Sequence, residues 1–67
     1  MAIRTQIGET AGRVWRLLDR EGPQSLTEIK KKIDAKGDLV PYALGWLARE
    51  GQVEFLADKK GYRVART

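Results

Sequence analysis

Few residues in this chain are capable of covalent or acid–base chemistry. Its 67 residues include no histidine and no cysteine. That removes imidazole bases, thiolate nucleophiles, disulfides and the ordinary zinc, haem and iron–sulfur ligand sets. The one serine, Ser25, stands in Ser25-Leu26-Thr27-Glu28, where its hydroxyl is spoken for as a helix cap. No pair of carboxylates is spaced to share one face of a cleft, and there is no G-x-x-x-x-G-K-[ST] or G-x-G-x-x-G run. The expectation is a protein that is not an enzyme and that takes no cofactor and no metal.

What remains is binding chemistry. Lys and Arg number 13 against 9 Asp and Glu, a net charge of +4, and the isoelectric point is near 9.8. A small basic protein tends toward polyanions, meaning nucleic acid or an acidic surface. The candidate phosphate contacts are Lys31 and Lys32 in the run Lys30-Lys31-Lys32, then Lys36, the pair Lys59-Lys60, and Arg63. The bland reading of each is a solvated helix face or a polar turn. Tyr42 and Trp46 are four residues apart with Gly45 between them. On a helix they share a face, and Tyr and Trp are favoured interface anchors. Trp46 is either part of that patch or tucked under the hairpin or the N-terminal segment around Ile3.

The elements that position these residues follow from periodicity and punctuation. Ile7, Ala11, Val14 and Leu18 fall within about 60° of one another at helical spacing, predicting a helix over about 7–21 that stops at Gly22-Pro23. Trp15 and Leu17 border that stripe. Ser25 and Glu28 form a capping box for a short helix over about 26–34, whose buried residues are Leu26, Ile29 and Ile33. A third helix is expected over about 39–50, with Asp38 as N-cap, Pro41 in the first turn and Gly51 as the stop. Val40, Leu44 and Leu47 form its core stripe, leaving Tyr42, Gly45, Trp46 and Arg49 outside. The alternation of Val53, Phe55 and Ala57, then Tyr62 and Val64 across Lys59-Lys60-Gly61, predicts a hairpin over about 52–66. A very short strand near Pro23-Gln24 completes the order. The fold class is α+β, mainly α, in a single domain over 1–67.

Three helices followed by a hairpin, with a tight turn between the second and third, resemble a winged helix-turn-helix domain. The text that carries the resemblance is Ser25-Leu26-Thr27-Glu28-Ile29 with Ile33, then Val40, Leu44 and Leu47 running into Arg49-Glu50-Gly51-Gln52-Val53. In size the chain is similar to small stand-alone winged-helix proteins of prokaryotes. The resemblance implies a third helix that meets the DNA major groove and a wing that touches backbone or minor groove. It adds Tyr42 and Arg49 to the nucleic-acid-binding candidates Lys31, Lys32, Lys36, Lys59, Lys60 and Arg63.

One departure shapes the reading. A helix that reads bases offers hydrogen-bonding side chains, whereas this one offers Pro41, Tyr42, Gly45 and Trp46. The expected function is therefore a DNA-binding module, a transcriptional regulator or architectural protein, that grips duplex DNA mainly through backbone phosphates. The alternative is a protein-interaction or homodimerisation module whose interface is Tyr42, Gly45 and Trp46. No apolar run approaches the roughly 20 residues of a membrane span. No membrane contact is expected, and a chain without cysteine fits the cytoplasm.

Overall fold

The first helix reaches further back than its expected start at Ile7. In the computed structural model, which describes residues 2–67, α1 spans Ile3–Glu21. The N–H groups of Thr5 and Gln6 donate to the Ala2 carbonyl at 3.1 and 3.3 Å. No proline interrupts this turn, and the apolar stripe simply continues from Ile7 to Ile3, four positions earlier. Thr10, Ala11, Val14, Leu17 and Leu18 are buried. Leu17 thus lies inside the core instead of bordering it, while Trp15 packs against its edge. The helix ends at Gly22, whose φ of +82° suits glycine alone and whose N–H bonds the Leu18 carbonyl.

The short strand β1 is Gln24–Ser25, one residue later than expected. It leads straight into α2, Leu26–Lys32. The capping box is complete: the Glu28 N–H donates to Ser25 Oγ at 3.2 Å, and the Ser25 N–H donates to Glu28 Oε1 at 2.8 Å. The helix stops short of Asp34 because Ile33 is already extended (φ −105°, ψ 112°), a conformation that still lets its side chain reach the core. α3 spans Leu39–Arg49. Asp38 occupies its N-cap position but makes no capping hydrogen bond. Its φ and ψ of −99° and 19° are not the extended geometry that aims a cap side chain at the first turn.

β2 is Val53–Asp58 and β3 is Gly61–Arg66. They form an antiparallel sheet in the order β1-β3-β2. The hairpin turn is only Lys59-Lys60, since Gly61 already pairs with Asp58. One core joins α1 to Ile29, Ile33, Val40, Ala43, Leu44, Leu47, Val53 and Val64. Val53 and Val64 at the base of the hairpin are buried, and burial stops there. Phe55, Leu56 and Tyr62 are 47%, 45% and 44% exposed. Six-residue strands extend about 20 Å, so the wing outruns a core only a few turns of helix deep. Among the described residues no helix is long and apolar enough to cross a membrane.

Candidate nucleic-acid interface

Two devices anchor the wing to the helices. At its base, Arg66 Nε is 2.7 Å from Asp19 Oδ1 of α1, and the same guanidinium lies over the Trp15 ring, 5.6 Å from its centroid. Further out, Arg63 faces Glu28 of α2 at 3.8 Å. At the tip, Asp58 Oδ1 accepts the Lys60 N–H at 2.8 Å. That bond fixes the turn backbone and leaves the Lys59 and Lys60 side chains in solvent.

The expected phosphate contacts separate into two sets. Lys32 Nζ donates to Glu21 Oε1 at 2.8 Å and to Gln24 Oε1 at 2.9 Å. It acts as a strut from α2 to the end of α1 and to the buried Gln24. Its hydrogen bond holds the Glu21 carboxyl below the usual glutamate range. Arg63 is held more loosely, 3.8 Å from the Glu28 carboxylate with both side chains about half exposed. The Glu28 carboxyl is lowered first by the Ser25 N–H, then by the Ser25 hydroxyl, with Arg63 adding a smaller pull. By contrast Lys31, Lys36, Arg49, Lys59 and Lys60 are exposed and make no ion pair among the described residues.

Lys60 and Arg63 are brought together with Tyr62 around a groove whose other wall is Ser25, Glu28 and Asp58. The two carboxylates make that groove a poor path for a phosphate chain, so the outward lysines, not the groove, present the positive face. Lys36 and Tyr42 border a second groove with Ile3 and the turn between α2 and α3. Tyr42 and Trp46 are 50% and 47% exposed, with Gly45 and Arg49 exposed on the same side of α3.

The early start of α1 adds Arg4, Ile7 and Gly8 to this site, beside the Ile3 segment already considered as a cover for Trp46. Ile3, Arg4, Ile7 and Gly8 line an almost wholly apolar groove against Trp46. Trp46 therefore stands beside the first turns of α1 without being tucked under them. The available signal was the i, i+4 relation of Ile3 to Ile7. Phe55 and Tyr62 carry no site role in the sequence pattern, because alternation marks a common face and not whether anything covers it.

The sequence of the chain matches, over residues 1–65, a family model described as a winged helix-turn-helix domain (DUF2582). The chain belongs to that family. It is 43% identical over 62 residues to an uncharacterized protein of Methanocaldococcus jannaschii, MJ1608, with 88% of this chain and 87% of the relative covered. No solved structure matches the chain. In the winged-helix frame, α2 and α3 form the helix-turn-helix and β2–β3 the wing.

Proposed function

We propose that this winged-helix protein binds duplex DNA, chiefly through phosphates, as a small regulator or architectural module without catalytic activity. The observation that carries the reading is the division among the cations. Those that brace the fold, Lys32, Arg63 and Arg66, are paired with carboxylates. Lysines of α2 (Lys31), the following turn (Lys36) and the wing tip (Lys59, Lys60) are exposed and unpaired among the described residues. Such charges supply affinity by releasing counterions and do not discriminate among bases. The α3 face has only Arg49 to offer a base edge bidentately.

The test is salt-titrated binding to unrelated duplexes. Binding is expected to vary little with sequence and to fall steeply with salt. Replacing Lys59 and Lys60 together by Ala lowers the slope of log K against log salt by up to about 1.8, at about 0.9 per phosphate contact. No binding to any duplex at low salt by the folded protein would refute the reading.

A second reading, self-association or capture of a protein through α3, is favoured by one observation. The exposed Tyr42 and Trp46 are joined by Ile3, 58% exposed, and by the apolar groove along α1. Under that reading Tyr42→Ala lowers the mass of the species in solution and leaves DNA affinity nearly unchanged.

A further inference from the structure

Phosphate binding makes no use of the rings on the wing. The strand register pairs Ala57 with Tyr62 and Phe55 with Val64, so Phe55, Ala57 and Tyr62 share one face. The two rings meet diagonally across the strands, edge to face, with centroids 5.5 Å apart and planes at 89°. Each remains close to half exposed. The open apolar hollow at this place is lined by Phe55, Ala57 and Tyr62, with no charged side chain among them. Lys59 and Lys60 begin one residue beyond the Asp58–Gly61 pair. At the strand rise, two residues from a ring is about 7 Å, the scale of one nucleotide.

We infer that this face of the wing is a stacking site for an unpaired base of single-stranded DNA, with Lys59 and Lys60 holding the flanking phosphates. The inference rests on the DNA-binding reading above and names a substrate class for the wing. Base-paired DNA presents base edges in its grooves, so an exposed ring stacks there only by prying base steps apart, at the cost of unstacking them. An unpaired base offers its π-face, and aromatic platforms beside positive charge bind single strands with little sequence preference. Charge chooses the occupant: the turn carries Asp58, whose carboxylate is turned onto the Lys60 N–H, and two lysines without an ion pair among the described residues, while Glu28, which borders the neighbouring groove with Lys60 and Tyr62, faces Arg63. A cross-strand aromatic pair also stiffens a hairpin, but that role is satisfied by the Phe55–Tyr62 contact and leaves the remaining surface of both rings uncovered.

The experiment compares a labelled oligothymidylate with an abasic oligomer of the same length and phosphate count, by fluorescence anisotropy at one fixed low salt concentration. The wild-type protein is expected to prefer the base-bearing strand by about 5- to 150-fold for each base stacked. Tyr62→Ala and Phe55→Ala each reduce that preference, Tyr62→Phe retains it, and duplex affinity is unchanged in Tyr62→Ala. Thermal melts of each variant establish that it is folded. Equal binding of the two strands by the wild type, or an undiminished preference in folded Tyr62→Ala, would overturn the inference. So would a dimer that dissociates on Tyr62→Ala, which would assign the face to a second copy of the chain. Duplex binding that persists with its steep salt slope while the two single strands bind alike refutes the stacking site alone. Absence of duplex binding with the base preference intact refutes the duplex reading alone.

Discussion

Replacing Gly45 by alanine should make the free protein more stable. The residue lies within α3, Leu39–Arg49, and is not among the glycines with positive φ. A Cβ built on it meets nothing within 4 Å. Alanine is therefore accommodated without strain. It gains about 1 kcal/mol from the lost freedom of the unfolded chain and from helix propensity. For a chain of this size each kcal/mol raises Tm by roughly 4–8 °C. Circular dichroism melts at micromolar concentration and below read this directly. A Tm that is unchanged or lower in the most dilute samples would show that the methyl group meets something, and the open α3 face described above would be wrong. The same substitution bears on function. If the face of α3 receives a second copy or a protein partner, a methyl group at the notch beside Trp46 obstructs close approach. Folding then strengthens while association weakens, and general destabilisation cannot produce effects of opposite sign.

Two further outcomes check the core and its struts. Leu44→Ala, a buried truncation at 3% exposure, should cost about 2–5 kcal/mol in urea unfolding, and a variant as stable as wild type would refute the phase of α3. Acid should loosen the junction of α1, α2 and the wing. The Glu21 and Glu28 carboxyls are both lowered in the folded state, so their stabilising contribution is whole above the ordinary glutamate value of about 4.3 and is lost as pH falls through the lowered values. Melts at neutral pH and at pH about 3 should show a larger loss for wild type than for a Glu21→Gln, Glu28→Gln variant; equal losses would refute the role of these pairs.

Much of the fold was legible because its signals are local. The Ser25–Glu28 box is made within four residues, and Gly22 and Gly51 mark the ends of α1 and α3 by a backbone conformation that other residues rarely adopt. The stripes of Val14 and Leu18 and of Val40, Leu44 and Leu47 depend only on helical spacing, and each residue is buried. The failures concern what lies opposite a residue. Ile3 continues a stripe that the sequence could carry backward, yet what faces it is set by α3 and the α2–α3 turn.

The candidate site divides in the same way. Charge, the absence of histidine and cysteine, and the aromatic composition of α3 are properties of the chain itself, and they directed the reading toward binding. Which cations stand apart from carboxylates is a tertiary result, because Lys32 and Arg63 are paired with carboxylates 11 and 35 positions away in the chain. The exposure of Phe55 and Tyr62 is also tertiary. Alternation places them on one face of the hairpin with Val53 and Val64, but only the length of the strands relative to a small three-helix core decides where burial stops. Local physics determines the elements and the face each residue takes. The distance to the nearest partner from elsewhere in the chain determines whether that face is core, strut or open surface.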